Sequence, residues 1–263
     1  MSQEQSPLIY EKKSPAAILR LNRPERLNAV SLPLYQAMET ALTDLRDDRS
    51  IRVAILTGTG RAFCAGADVK AHAGGQLPAK DRRSYVEAAQ RVNRLLQTVP
   101  KPVVAAVNGH AIGAGLELAL SCDFVVVASE AKLRLPEVSL GTFVGGGLLY
   151  TLPQRIGLAK AKEMILLGDF LTGAQAAEIG LANRVVPADE VFEEATALAQ
   201  ELASKAPIPM ALAKELFYKA RYLPADDLLE LEAQALLRCM ESSDWREGLK
   251  AFKEKREPRY TGE

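Results

Sequence analysis

The chain has 263 residues, of which 48% are hydrophobic and 25% charged, and its 33 basic and 33 acidic residues give no net charge. These values are typical of folded globular domains, so they exclude collagen-like, low-complexity and largely disordered chains. The neutral balance also argues against a protein whose main task is to bind nucleic acid through a general basic field.

The cysteines and the N-terminal segment favour an intracellular protein. The chain has three widely separated cysteines: Cys64, Cys122 and Cys239. Their odd number and wide spacing predict a reduced protein without a disulfide framework, and with only two histidines no histidine-rich metal site is expected. Residues 1–13 are polar, and no apolar run approaches the roughly 20 residues of a membrane span. We therefore expect a cytoplasmic protein that does not enter a membrane.

The first quarter of the chain alternates strand and helix signals. The apolar run Ala16–Leu21 predicts a strand, and Ile51–Thr57, which is rich in β-branched residues, predicts a second. Between them, Ser31–Asp47 predicts a helix with Ser31 as its N-cap. The apolar residues that repeat along one face of this helix are Leu34, Met38, Leu42 and Leu45.

The alternation continues up to about residue 130. Small and polar residues predict a flexible loop over Ala71–Lys80, and a helix is expected after it. We expect the loop and this helix to shape the pocket that binds the substrate. Pro102–Val107 and Asp123–Ala128 read as buried strands, and Gly109–Gly115 between them predicts a glycine-rich turn that leads into a helix. Strands that alternate with helices in this way indicate an α/β fold with parallel strand pairing.

The second half is mainly helical. The strand signal there is confined to Ala182–Val186. Four helical stretches follow it: Glu190–Lys205, Pro209–Tyr222, Pro224–Glu241 and Ser243–Lys255. We place a boundary near residue 200, between a core of residues 1–200 and a helical C-terminal region of residues 201–263 that covers the core or a neighbouring subunit.

Three glycine-rich segments carry the candidate chemistry: residues 60–68, 108–117 and 133–141. In the second segment a helix starts after the turn, and the free N–H groups and positive end of a helix suit a developing oxyanion. Glu117 falls in the opening of that helix among apolar residues, and Glu137 lies in the third segment. Taken alone, the first segment also fits a tight loop, Glu117 also fits a side chain that simply interacts with the free amides of the helix start, and Glu137 also fits a solvated loop carboxylate.

Two glutamates beside such turns have a clear chemical use if the fold brings them together. One carboxylate can take a proton from water while the other donates one, and burial can raise the pKa of a glutamate enough to hold a proton near neutral pH. Backbone N–H groups of the two turns would then hold an enolate-like oxygen. The spacing in the sequence does not establish that the two side chains converge.

Six motifs, taken in their order and spacing, link these segments to a known family. They are Leu21–Ala29, Phe63–Asp68, Lys101–Gly109, Gly113–Leu118, Pro136-Glu137 with Leu140-Gly141, and Ala251–Arg256. With them the chain resembles the enoyl-CoA hydratase/isomerase (crotonase) superfamily over nearly its whole length. The resemblance implies a superhelix of ββα turns, a helical C-terminal part that forms homotrimers or dimers of trimers, and an acyl-CoA thioester as substrate. Coenzyme A arrives as part of the substrate, and no metal and no other cofactor is implied.

The resemblance also assigns roles to particular residues. Both glutamates of the hydratases are present, with Glu117 as the base that activates water and Glu137 as the acid that protonates C2 of a 2-trans-enoyl-CoA. The backbone amides of Ala67 and Ala114 match the oxyanion hole. The residues matched to coenzyme A and substrate binding are Arg26, Ala65, Gly66, Asp68, Val69, Gly113 and Lys255. Among these, the resemblance assigns Arg26 and Lys255 to the phosphates, and Lys255 across a subunit boundary.

Three positions depart from the family pattern. Ala114 stands where many relatives have glycine, Val144 where a proline is usual, and Leu148-Leu149 where Gly-Thr is usual. The methyl group of Ala114 narrows the approach to its amide. We expect these changes to affect the choice of acyl group, for example a branched or cyclic one, more than the class of reaction.

Other functions stay open from the sequence. Isomerisation of an enoyl-CoA double bond needs no ordered water, and Glu137 alone would serve. A non-enzymatic module that binds coenzyme A or RNA would use basic clusters such as Lys12-Lys13, Arg82-Arg83 and residues 250–259, which otherwise read as solvated faces. Hydrolysis or decarboxylation of a thioester is also known among crotonase relatives.

Catalysis through a nucleophile has only residue types in its favour. Cys64, Cys122 and Ser139 are candidates, but the chain has no G-x-S-x-G elbow and neither histidine has a recognisable partner. Enoyl-CoA hydration is therefore the function that we expect.

Overall fold

The structure is a computed structural model that describes residues 6–68 and 79–263, with residues 79 and 80 described by their backbone alone. The strands are β1 (Leu8–Lys13), β2 (Ala16–Leu21), β3 (Val53–Gly58), β4 (Ala62–Cys64), β5 (Val103–Val107), β6 (His110–Ile112), β7 (Phe124–Ala128), β8 (Lys132–Arg134), β9 (Leu171–Thr172) and β10 (Arg184–Val186). The helices are α1 (Leu32–Asp47), α2 (Ala79–Thr98), α3 (Ala114–Leu120), α4 (Leu148–Ile156), α5 (Leu158–Lys162), α6 (Gly173–Glu178), α7 (Val191–Ala203), α8 (Pro207–Lys219), α9 (Ala225–Glu241) and α10 (Ser243–Glu254).

Six strands form the larger sheet, in the order β1-β2-β3-β5-β7-β10. Strands β1 and β2 pair antiparallel, and every later pair in this sheet is parallel, with Ile55 opposite Val104 and Ala105 opposite Val125. All residues of β3 and β5 are buried. Strands covered on both faces need apolar residues throughout, which is why these runs do not alternate with polar residues. The α/β class and the parallel pairing are thus confirmed.

A second, smaller sheet of two- and three-residue strands has the order β4-β6-β8-β9. Strands β4, β6 and β8 each follow a strand of the large sheet and precede a helix, which gives the repeats β3-β4-α2, β5-β6-α3 and β7-β8-α4. This is the ββα repeat that the resemblance implies. Because the repeats are parallel, their turns lie side by side at one end of the molecule.

Helix α1 has the predicted cap and the predicted buried face. The Ser31 hydroxyl accepts a hydrogen bond from the Leu34 N–H at 3.4 Å, and Leu34 and Met38 have no exposed surface. The face packs against β1, β2 and α2. The helix starts at Leu32 instead of Ser31, because a cap residue keeps an extended backbone.

The structure differs from the sequence-based elements in several segments, and strand β1 and helix α4 were not predicted from the sequence. The predicted glycine-rich turn at residues 109–115 contains strand β6 and the start of α3. In the predicted loop at residues 71–80, residues 71–78 lie outside the described ranges, and Ala79 and Lys80 belong to α2. The short strands β4, β6, β8 and β9 have too few residues to show a period, so the sequence pattern missed them.

The C-terminal helices were predicted to within a few residues. Residue 200 lies within α7, which packs on strands β3, β5 and β7 through apolar residues such as Val191 and Leu198. Helix α8 is fixed to the core by Lys214, whose ammonium donates to Asp123 Oδ2 at 2.7 Å and to two carbonyl oxygens. Within the described ranges, no helix is both long enough and apolar enough to cross a membrane.

Candidate active site

The three glycine-rich segments meet at one cavity of about 480 Å³. Glu117, Glu137, Ala67 and Ala114 all line it. The first two turns are in direct contact, since a Cβ at Gly66 would lie 2.8 Å from the carbonyl oxygen of Ile112 and 3.9 Å from the N of Ala114. The fold therefore brings together the two glutamates and the two amides that the sequence places up to 70 residues apart.

Glu117 lies in the first turn of α3, where its N–H donates to the carbonyl oxygen of Gly113 at 2.9 Å. Its side chain is 6% exposed, and Oε1 accepts a hydrogen bond from the N–H of Gly145 at 2.6 Å. Burial raises the pKa of Glu117 to about 7, and the charge of Glu137 adds to this, while the Gly145 N–H acts in the opposite direction. Glu117 can therefore gain or lose a proton near neutral pH.

Glu137 follows β8 and precedes a single 3-10 turn at Val138–Leu140. It is 7% exposed, and its Oε2 has no hydrogen-bond partner among the described residues. Burial raises the pKa of this carboxyl as well. A buried carboxyl oxygen without a partner, on the wall of a cavity, has its hydrogen-bonding capacity free for a ligand.

The backbone of Ala67 presents its N–H away from the neighbouring chain. Ala67 forms an isolated parallel bridge with Val30. In this bridge the Gly66 carbonyl accepts the Val30 N–H, and the Asp68 N–H donates to the Val30 carbonyl, whereas the Ala67 N–H does not take part. Successive peptide groups of an extended chain point to opposite sides, so the Ala67 N–H points away from Val30. It has no acceptor within the described part of the chain.

The second amide lies at the start of a helix. Gly113 is the N-cap of α3, so Ala114 is the first helical residue and its N–H has no carbonyl within the helix to bond to. The positive end of the helix dipole adds to the attraction for an oxyanion there. Gly113 has φ +53°, a conformation that glycine adopts readily and that turns the chain into the helix.

Some of the residues matched to coenzyme A line the cavity, one is buried and forms an ion pair, and two are exposed outside the lining. Ala65, Gly66 and Gly113 line the cavity. Asp68 is 8% exposed and its carboxylate accepts a hydrogen bond from Arg23 at 2.9 Å, which ties the first turn to the segment before α1. Arg26, at the end of the 3-10 turn Pro24–Arg26, and Lys255, directly after α10, are exposed and outside the cavity lining. Val69 lies outside the described ranges.

Two tyrosines of the lining were not predicted from the sequence. Tyr35 on α1 and Tyr85 on α2 pack edge to face with ring centroids 5.4 Å apart, and both border the cavity. Tyr35 belongs to the apolar stripe of α1, so its pattern is that of a core residue. Of the positions that depart from the family pattern, Val144 lines the cavity, Leu148 is buried outside the lining and Leu149 is exposed.

The two cysteines among the alternative nucleophiles have unsuitable surroundings. Cys64 and Cys122 are fully buried, and burial raises the pKa of Cys64 to about 12, so it stays a thiol at neutral pH. The imidazole of His110 accepts a hydrogen bond from the Lys132 N–H at 3.2 Å, which is a structural contact. Among the residues that the structure describes, no cluster of three or more His, Cys, Asp or Glu side chains is arranged to hold a metal ion.

Each of the three basic clusters contains a residue that is paired with a carboxylate. Lys12 contacts Asp48 at 2.8 Å and Asp44 at 2.5 Å. Arg83 contacts Glu87 at 2.8 Å, and Arg256 contacts Glu247 at 2.7 Å. Such pairs reduce the local positive field that RNA binding needs.

Comparison with known proteins assigns the family. The model of the enoyl-CoA hydratase/isomerase family matches residues 11–263. The crotonyl-CoA hydratase of Syntrophomonas wolfei is 36% identical over 254 residues, which cover 96% of this chain and 97% of that protein. The 2,3-dehydroadipyl-CoA hydratase of Escherichia coli is 36% identical over 98% of this chain and 99% of its own length.

Solved structures give the same result for the fold. The crystal structure of the enoyl-CoA hydratase of Bacillus anthracis superimposes with a TM-score of 0.93 and 37% identity, covering 98% of this chain and all of that one. A hydratase/isomerase from Mycobacterium abscessus gives a TM-score of 0.90 at 35% identity, with 97% and 99% coverage. The chain therefore belongs to the enoyl-CoA hydratase/isomerase family of the crotonase superfamily, and its relatives place it among the enoyl-CoA hydratases, which are hydro-lyases.

Proposed function

We propose that this enzyme adds water across the double bond of a 2-trans-enoyl-CoA and gives a 3-hydroxyacyl-CoA. The observation that carries the proposal is that two buried glutamates and two backbone amides share one cavity. The similarity to hydratases over nearly the whole chain supports the same conclusion. Glu117 is the base and Glu137 the acid in the hydration direction, and they exchange roles in dehydration.

The amides act on the thioester. Its carbonyl oxygen accepts hydrogen bonds from the N–H groups of Ala67 and Ala114, which polarise the conjugated double bond and stabilise the enolate that forms. Removal of one such donor typically raises the activation barrier by about 2.7–4 kcal/mol. Polarisation makes C3 electrophilic, so the water oxygen bonds to C3 while the π electrons move towards the carbonyl oxygen.

The glutamates move the protons. Glu117 takes a proton from the attacking water, and Glu137 gives a proton to C2. Both act from the same side of the double bond, so H and OH add to one face. Burial and mutual repulsion favour one proton on the pair near neutral pH, since the second ionisation would place two negative charges in a desolvated cavity. The reaction changes no oxidation state overall, so we propose no redox cofactor, and the two amides do the polarising work for which other enzymes use a metal.

The remaining matched residues hold the coenzyme A part. By the family match, Ala65, Ala67, Asp68 and Val69 are assigned to the path of the adenine and pantetheine, and Gly66 and Gly113 to substrate binding. Asp68 acts through its pairing with Arg23. Arg26 and Lys255 bind the phosphates. Lys255 does so from a neighbouring subunit of a homotrimer or a dimer of trimers.

The C-terminal helices support such an assembly. Large apolar side chains on α8, α9 and α10 are exposed, and Phe217, Leu236 and Phe252 are 72%, 61% and 86% exposed. Burying them against another subunit removes apolar surface from water.

The direct test is turnover of straight-chain, branched and cyclic 2-enoyl-CoA thioesters in ¹⁸O-labelled water, with the products identified by mass. A product one water heavier that contains the labelled oxygen is expected. Loss of this product in Glu117→Gln and in Glu137→Gln, but not in the exposed control Glu130→Gln, is also expected. A rearranged product without labelled oxygen would instead identify the enzyme as an isomerase.

A further inference from the structure

The loop Gly145–Gly147 carries the N–H that binds the proposed base. Gly146 and Gly147 have φ +62° and +75°, and a side chain at Gly145 would place its Cβ 2.8 Å from Glu117 Oε2. Glycines are required here, but three in succession leave the chain with much conformational freedom. The position of the Gly145 N–H therefore depends on the contacts that hold the loop.

Helix α2 supplies one of these contacts through a side chain outside the catalytic cavity. The amide nitrogen of Gln97 donates to the carbonyl oxygen of Gly146 at 3.0 Å and lies 3.4 Å from the hydroxyl of Ser121. That hydroxyl donates to Asn93 Oδ1 at 2.8 Å, and the Asn93 amide donates to the carbonyl of Ala89. Ser121 and Asn93 are almost completely buried.

This network joins α2, α3, which carries Glu117, and the loop Gly145–Gly147, whose N–H contacts Glu117. Ser121 is one helical turn after Glu117, to whose carbonyl its N–H donates at 2.9 Å. The Gly145 N–H returns to the Glu117 carboxylate at 2.6 Å. Gln97 is thus the side chain of α2 that holds the glycine loop against α3.

We propose that Gln97 is a positioning residue for the hydration reaction: by holding the carbonyl of Gly146 it keeps the Gly145 N–H on Glu117 and sets the direction in which that carboxylate accepts a proton. The proposal rests on the proposed role of Glu117 as the base. It differs from a purely structural role because it ties Gln97 to the acidity of one carboxyl group.

The titration of Glu117 can be followed because most of the ionisable groups that face it stay neutral near pH 7. Among the residues that the structure describes, they come from α1, α2, β4 and the segment after β8, and they are Tyr35, Tyr85, Cys64 and Glu137. Burial raises the pKa of Tyr85 and of Cys64 to about 12 and that of Tyr35 well above its usual value, so all three stay neutral near pH 7. Among these described groups, Glu117 has a pKa of about 7, and burial raises the pKa of Glu137 as well.

The test compares Gln97→Met, which keeps the length of the side chain but cannot donate, with Gln97→Lys, which can donate again and also carries a positive charge. The matched control is Gln36→Met, an exposed glutamine on α1. In Gln97→Met the Gly145 N–H moves off Glu117, the pKa of Glu117 rises by between about 0.5 and 1 unit, and the acidic limb of kcat/KM moves to higher pH by the same amount.

The activity ratio therefore depends on pH. At pH 6.5 we expect Gln97→Met to lose between about two- and tenfold in kcat/KM, and to recover as the pH rises and Glu117 ionises. Gln97→Lys restores the donor and adds a positive charge that itself lowers the pKa of Glu117, so its acidic limb lies at or below the wild-type pH, and Gln36→Met does not change the profile. A loss in Gln97→Met that is equal at all pH values would overturn the proposal, because general damage to the fold does not follow the titration of one carboxyl.

A second readout does not need turnover. In protein labelled with ¹³C at the glutamate carboxyl carbons, the Glu117 signal is assigned by its absence in Glu117→Gln and titrated without substrate. A raised pKa of Glu117 in Gln97→Met supports the positioning role even if the wild-type enzyme hydrates no enoyl-CoA. That absence of hydration would contradict the proposed function but not the positioning role. An unchanged pKa overturns the positioning role even if hydration is established.

Discussion

The carboxylate of Glu137 lies against Gly113, the residue that caps the helix of Glu117. A Cβ at Gly113 would be 2.6 Å from Glu137 Oε1, and the main chain there has φ +53°. The carbonyl of the same glycine accepts the N–H of Glu117 at 2.9 Å. Gly113 therefore contacts both glutamate residues, and its lack of a side chain leaves the space that Glu137 Oε1 occupies.

Gly113→Ala is expected to displace Glu137. The new methyl group cannot share the space of Oε1, so hydration of crotonyl-CoA falls by at least about tenfold, and the positive φ destabilises the fold by about 1–3 kcal/mol. The control is Gly157→Ala, where φ is +77° and no atom lies within 4 Å of the new Cβ. It should lose similar stability in urea but keep its activity. Equal activity in the two variants would contradict the steric role of Gly113.

Ala114→Pro removes one amide of the proposed oxyanion hole. Proline is well tolerated at the first position of a helix, and Gly113 before it can adopt the required backbone, so the fold should persist. We expect kcat to fall by about 10²–10³. Ala114→Gly keeps the N–H and should retain turnover within a few-fold. If Ala114→Pro turns over at the wild-type rate while folded, judged by circular dichroism, the amide of Ala114 does not bind the oxyanion.

Glu117 should make stability depend on pH. Its pKa rises from 4.5 to about 7 on folding, because burial disfavours the ionised form. Between these values the folded chain binds more protons than the unfolded one, so the stability present below pH 4.5 is lost as the pH rises through 7, by about 3 kcal/mol.

Removal of the charge should abolish this loss. Glu117→Gln is expected to be more stable than the wild type at pH 8 and nearly equal at pH 4.5, whereas Glu130→Gln should follow the wild type. Urea unfolding at fixed protein concentration measures the difference at each pH. A wild type and a Glu117→Gln variant that lose stability in parallel between these pH values would show that Glu117 is ionised in the folded protein throughout.

The buried pair Lys214–Asp123 should stabilise the attachment of α8. Lys214→Met leaves a largely buried carboxylate without its cation and should cost about 3–5 kcal/mol in unfolding free energy. Lys219→Met breaks an exposed pair with Glu215 one turn later on the same helix and should cost about 0.5 kcal/mol or less. Similar costs for the two variants would show that Lys214 does not anchor the helix.

Local patterns of the sequence determined the long elements. The capped amphipathic stretch of α1 and the uninterrupted apolar runs of β3, β5 and β7 depend on neighbours in the chain, so periodicity and composition predicted them within a few residues. The two glutamates were found because each follows or precedes a glycine-rich segment. The short strands β4, β6 and β8 stayed hidden, because two or three residues carry no period and only pairing with distant segments makes them strands.

The tertiary structure alone decided how the candidate residues act together. Parallel repeats place three turns at one end of the sheet, and so Glu117, Glu137, Ala67 and Ala114 line a single cavity. The raised pKa of Glu117 depends on burial by residues from other segments, and the contact of Gln97 with Gly146 joins positions 49 residues apart. The sequence specified the residue types and the local conformations, whereas distances, burial and charge coupling arise only when separate segments pack together.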